Sequence, residues 1–178
     1  MSLMEVGLFP SLLGETFQRL DAPVRAVHGG SSRRLRGTAT VERGHSLFAR
    51  ILCAMASLPR SADRVPIEVQ INTDSQGERW TRYFGDCRPM QSRLHGNRDL
   101  LVERLGPAVF VFRLREHGGG IAWSLIQISA LSIGLPIRWF TVSAFSGAHA
   151  GRYTFTVDAA LRGVGRIIRY DGELDVSG

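Results

Sequence analysis

The chain has 178 residues, 44% hydrophobic, 21% charged and 8% aromatic, with 20 Gly and 7 Pro. This excludes collagenous, disordered and disulfide-stapled chains, and a chain of this length buries roughly 70% of its unfolded surface around one core without help from a structural metal. The formal net charge of +6 comes from 22 basic residues, every one an arginine, against 16 acids; such uniform arginine usage points to codon bias in a GC-rich genome, because high charge indicates a partner only where it is gathered in one place.

The amino-terminal MSLMEVGLFP lacks the basic segment and sustained apolar stretch of a secretory signal, so a cytoplasmic location is expected. From Ser11, a candidate cap, Leu12, Leu13, Thr16, Phe17 and Leu20 recur at helical spacing. Asp21 opens a second short helix with Pro23 in its first turn, and Gly29 after His28 is its expected left-handed terminator. A strand follows over about 34–43. After Gly44 a third helix carries Leu47, Phe48, Ile51, Leu52, Met55 and Leu58 on one side and stops at Pro59. That apolar stripe is expected to face the core rather than a membrane or a partner.

From Val65 the period changes to two. Val65, Ile67, Val69 and Ile71 alternate with Pro66, Glu68, Gln70 and Asn72, and DSQG then makes a turn. ERWTRYFG at 78–85 places Trp80, Arg82 and Phe84 on one face and Arg79, Thr81 and Tyr83 on the other. Further strands are predicted at about 88–95, 98–105, 108–116, 121–127, 138–146, 151–160 and 166–176. Residues 118–137 run 20 positions without a charge, close to the length of a membrane span. Their serines, triple glycine and Pro136 favour two short buried strands around Gly134 and Pro136 instead.

The fold class that follows is α+β and mainly β, a single domain over 1–178. Two or three amino-terminal helices within 10–58 pack against a long antiparallel meander over about 65–176, curled into a barrel or half-barrel. Connections this short cannot support parallel pairing, and nine or ten strands must close or leave long edges. The helix at 44–58 either closes one end or lies in the concave face, and both arrangements leave an apolar pocket.

Few residues spell out chemistry. Cys53 and Cys87 are 34 positions apart with no CxxC, which reads as packed free thiols. His28, His45, His95, His117 and His149 are solitary, so no metal pair is offered. A Cys87 nucleophile with His95 as base has no third orienting group. Gly163 and Gly165 give a GxG fragment, but Ile168 stands where a third glycine belongs and a hairpin turn is the better reading; Gly118–Gly120 is a second hairpin candidate. No cofactor is implied.

Several segments together, RGTATVERG (36–44), ERWTRYFG (78–85), LLVERLGP (100–107), GRYTFTVD (151–158) and IIRYDGEL (167–174), resemble the bacterial domain of unknown function 4166 family. The similarity runs from about Leu20 to Val176. Members occur alone or carboxy-terminal to reductases similar to saccharopine dehydrogenase, so the resemblance implies a module that can accompany a dehydrogenase-like partner. It brings no catalytic residue, substrate or cofactor.

Three functions are weighed. The first is a pocket for an apolar or amphipathic, lipid-like small molecule, because large aromatics alternate with arginine: Trp80, Arg82, Phe84, Arg93, Tyr153, Phe155, Arg169 and Tyr170, with Glu103 as a counter-charge, are its candidate binding residues. An inward arginine would hold a carboxylate or phosphate head, whereas an outward one would simply pair across strands with Glu78, Glu103 or Asp158. The second is an enzyme using Glu103 with Arg104 or Asp171 with Arg169, for which no two carboxylates of contrasting environment can be assigned. The third is a nucleic-acid module built on Arg33, Arg34 and Arg36, which lacks the aromatic pattern of RNA-binding sheets. An accessory or docking role beside a reductase, with no ligand of its own, is the alternative to the first. Nucleic acid and membrane are not expected partners.

Overall fold

The structure is a computed structural model that describes residues 7–55 and 58–176. Residues 1–6 and the side chains of Phe48, Leu52 and Met55, which the sequence counts in the third helix's stripe, lie outside the described residues. Two short helices, α1 (Leu8–Leu13) and α2 (Ala22–His28), precede β1 (Arg33–Arg43), and α3 (Leu47–Met55) separates it from β2 (Ala62–Asp74). There follow β3 (Gly77–Phe84), β4 (Met90–Asn97), β5 (Leu100–Leu105), β6 (Ala108–His117), β7 (Gly120–Ala130), the two-residue β8 (Ile133–Gly134), β9 (Phe140–His149), β10 (Arg152–Leu161) and β11 (Gly165–Asp175).

Ten of these strands form a closed antiparallel barrel in the order β6-β5-β4-β3-β2-β1-β11-β10-β9-β7, with β7 returning to β6. Closure removes the edges that a ten-strand meander would expose. It requires the two ends of the sheet to meet, and β1 pairs with β11 over eight positions from Arg36↔Asp175 to Arg43↔Ile168. Small residues make the tight wall there possible. A Cβ on Gly172 would stand 2.3 Å from the Thr38 carbonyl and 2.8 Å from the Phe155 ring directly opposite it on β10, so a small inward residue faces a large one, as small barrels require.

The wall is weakest between β7 and β9. Only Ile121–Ser124 pair with Ser143–Ser146, whereas β6 and β7 pair along their full length. Beyond that point β8 takes the place beside β7 that β9 has left.

Alternating strand direction puts the connections 44–61, 85–89, 106–107, 131–139 and 162–164 at one end of the barrel, the α3 end. The amino-terminal segment occupies the other. There Phe9, Leu13, Phe17, Leu20, Val24 and Val27 join the barrel's core cluster, and the Asp21 backbone N–H donates to the Gly119 carbonyl in the β6–β7 turn at 2.8 Å. Glycine is needed in that turn, since Gly119 has φ +78.

Several local expectations are corrected. The first helix starts at Leu8 and tightens into a 3-10 turn at Gly14, so Ser11 lies inside it and donates its hydroxyl to the Leu8 carbonyl at 2.7 Å instead of capping it. Gly29 has φ −74 and the left-handed position falls on Gly30, φ +87. Residues 118–137 form one long strand and an exposed β8 rather than two buried strands. The largest departure is α3. It buries Ala49 and Cys53 and leaves Leu47 71% and Ile51 48% exposed. Its small face lets the helix sit close on β11, where the Cys53 thiol donates to the Ile167 carbonyl.

Candidate functional site

Period two decides which side chains meet inside the barrel. On β3 the inward positions are Glu78, Trp80, Arg82 and Phe84; Trp80 lies opposite Ile71 of β2 and Ser92 of β4, and Arg82 opposite Val69 and Met90. β5 contributes Glu103 and Leu105, β10 Tyr153, Phe155, Val157 and Ala159, and β11 Ile168 and Tyr170. With Trp80 and Arg82, these side chains of β5, β10 and β11 line a cavity of about 140 Å³ in the barrel. Leu58, from the connection that carries α3, lines it as well.

The walls are apolar and aromatic, with one ion pair set into them. Arg82 Nη2 lies 3.6 Å from Glu103 Oε1, with the two side chains only 13% and 15% exposed. The guanidinium also donates from Nη1 to Ser92 Oγ at 2.9 Å and stands 5.2 Å over the Trp80 ring. Either charge alone would be costly here; as a pair they leave the cavity electrically neutral. Tyr170 lies beside them, its hydroxyl pushed up to about 12 by burial against the opposing pull of Arg82. That hydroxyl makes no hydrogen bond to any described residue.

Toward the amino-terminal helices the polar groups are committed to one another. The Tyr153 hydroxyl donates to Ser146 Oγ at 2.9 Å, which also accepts from Trp123 Nε1 at 3.3 Å. Having given its only proton, Tyr153 accepts from His28 Nε2 at 3.2 Å. This assigns the proton to Nε2 and leaves Nδ1 as a buried acceptor without a partner. Burial holds His28 down to about 3, so the imidazole is neutral, packed between Phe9 at 4.1 Å and Trp80 at 5.5 Å. Glu78, also fully buried, accepts from Trp80 Nε1 at 2.8 Å and is pushed up to about 7 by desolvation.

Ser146 is an acceptor from Tyr153, and no base among the described residues takes its proton, so the chain His28–Tyr153–Ser146 runs the wrong way to activate a nucleophile. Among the described residues no three His, Cys, Asp or Glu side chains gather where a metal could sit.

Of the residues the sequence nominates, Trp80, Arg82, Glu103, Tyr153, Phe155 and Tyr170 line this one cavity. Phe84 points inward and packs edge-on against Tyr170 at 5.8 Å without lining it. Arg93 and Arg169 are corrected to the outer surface: each sits between two inward residues, Arg93 binding Asp74 at 2.8 Å and Arg169 lying 3.5 Å from Asp171. Arg152 is likewise outside, on Glu173. Arg34 and Arg36 share Glu68, which disperses the only dense basic run. Cys87 lies in the β3–β4 connection, while His95 is exposed near the far end of β4, so they do not meet. Ser92, Trp123 and Ser146 were not foreseen; strand parity relative to Trp80 was the available signal for Ser92, but the β7 bulge between its pairings with Val111 and Phe112 interrupts parity for Trp123.

Residues 20–174 match the family described as Domain of unknown function (DUF4166). No curated protein and no solved structure matches the chain.

Proposed function

The chain belongs to that DUF4166 family, and with this as premise we propose that its barrel binds a small, largely apolar molecule carrying one uncharged polar head. The observation that carries this reading is the neutral ion pair Arg82–Glu103, beside the uncommitted Tyr170 hydroxyl, set in an otherwise apolar cavity. A pair that already cancels offers no net charge to a carboxylate or phosphate, but it offers donors and acceptors to a hydroxyl, ketone or amide. A cavity of about 140 Å³ corresponds to one aromatic ring or a short branched chain, since an engineered apolar cavity of roughly 150 Å³ takes benzene. A longer lipid-like tail would have to leave through the α3 end.

Methyl-detected NMR titration tests this. Benzyl alcohol is expected to shift the methyls of Val69, Leu105 and Ile168 saturably, toluene less tightly and benzoate least. Tyr170→Phe should weaken benzyl alcohol while sparing toluene, and Glu103→Gln should favour benzoate by leaving Arg82 unpaired. Ala159→Phe should fill the cavity and abolish all three. Unsaturable shifts, or shifts that survive Ala159→Phe, would remove the reading.

A further inference from the structure

We infer that the α3 end of the barrel docks on the surface of an anionic lipid bilayer, an inference that does not rest on the cavity having a ligand. Six of the eight large hydrophobic side chains exposed among the described residues are at this end. Leu131 is 71% and Ile133 67% exposed at the β7–β8 tip, Trp139 is 48% exposed below it, and Leu47 and Ile51 stand out from α3. The Trp139 carbonyl accepts from the Arg162 backbone N–H in the β10–β11 turn at 2.7 Å, which ties this segment to the turn that leads into β11, against which α3 packs.

Charge gathers at the same place. Residues 42–64, 85–89, 131–139 and 162–166 hold eight arginines and three acids, against fourteen and thirteen in the rest of the chain, so nearly all of the net +6 resides here. Arg50, Arg60, Arg64, Arg88, Arg138 and Arg162 are all exposed and make no ion pair to a described residue. Apolar tips interleaved with unpaired arginines suit the interface of an anionic membrane, where aliphatic side chains reach the acyl boundary while guanidinium groups stay among phosphates and tryptophan sits at headgroup depth. A nucleic acid would match the charge and leave the leucine and isoleucine tips in water. A protein interface places few charges at its core. The barrel's outer wall carries Arg34, Arg36, Glu68, Arg93 and Arg152, so the docking is end-on. No described helix is long and apolar enough to span, and none is needed for surface attachment.

The test is sedimentation of the full chain with vesicles of equal phosphatidylglycerol and phosphatidylcholine against phosphatidylcholine alone, with tryptophan emission recorded on the same samples. Partition into the anionic vesicles, with a blue shift that Trp139→Phe removes, is expected. Leu131→Asn with Ile133→Asn should lower partition at least about tenfold while near-ultraviolet circular dichroism stays unchanged, and Arg138→Gln with Arg162→Gln should lower it without touching either tip. Failure to partition overturns the inference, as does partition unaffected by the tip pair. A dimer in the absence of lipid that the tip pair dissolves, without vesicle binding, would assign the face to self-association instead.

Discussion

Two buried ionisable side chains pull the stability of this barrel in opposite directions with pH. Glu78, pushed from 4.5 up to about 7, keeps its proton in the folded chain where the unfolded chain has lost it. The folded state therefore holds more protons between about 4.5 and 7, and stability falls as pH rises through that window. His28, held down from 6.5 to about 3, stays neutral where the unfolded chain is protonated, so stability falls as pH drops below 6.5. Between about 4.5 and 6.5 the two slopes offset. Urea midpoints at pH 4, 6 and 8 should show Glu78→Gln more stable than the parent by about 1–3 kcal/mol at pH 8 and equal to it at pH 4, because the amide can still accept from Trp80. His28→Leu should lose the acid limb, and with it the unpartnered Nδ1. An unchanged pH profile in either variant would mean that the group titrates normally.

At the scale of elements, the amino-terminal helices are too short to be stable alone and depend on how they are anchored. Beside the apolar side chains in the core, one anchor is the β6–β7 turn, where Gly119 adopts φ +78 and a Cβ would stand 2.7 Å from the Asp21 carboxylate. Gly119→Ala combines backbone strain with that clash and is expected to cost about 1–3 kcal/mol. Its effect should be local. Hydrogen exchange should accelerate across α2 while β1 and β2 keep their protection, whereas uniform acceleration would show that the helices and the barrel unfold as one unit. The opposite end shows how an element's amphipathicity can mislead. α3 has the pattern of a core helix, yet among its described side chains the buried ones are the small Ala49 and Cys53, and Leu47 and Ile51 turn outward.

At the scale of the whole molecule, stability depends on a pairing between the first strand and the last. Arg36 and Asp175 are neighbours across 139 positions of chain, and every other strand's cover depends on that junction. Such long-range closure makes folding slow, in the millisecond to second range typical of all-β topologies. Removing residues 165–178 should take away β11, expose the edges of β1 and β10 and abolish a cooperative thermal transition. A truncated chain that still melts sharply and remains monomeric would show that the barrel tolerates an open seam.

The sequence by itself determined the class and the roster of long strands: alternation from Val65 to Ile71 and in ERWTRYFG, with turn residues at short intervals, leaves an antiparallel meander curled into a barrel or half-barrel, and only the tertiary structure closes it. Six of the nine residues that the sequence nominated line one cavity: Trp80, Arg82, Tyr153, Phe155 and Tyr170 sit on strands where aromatic and arginine residues alternate, and Glu103 was nominated as their counter-charge. Arg93 and Arg169 were indistinguishable from Arg82 at that level. Each of their three strands carries an arginine, and only cross-strand register, with Ser92 opposite Trp80 and Tyr170 opposite Val157, decides which face is inside. The tertiary structure alone assigned His28 to Tyr153 across 125 positions, paired Arg82 with Glu103 and turned Leu47 and Ile51 of the α3 stripe to solvent. Periodicity is a local property of the chain, whereas burial and charge pairing belong to neighbours that come together only when the barrel closes.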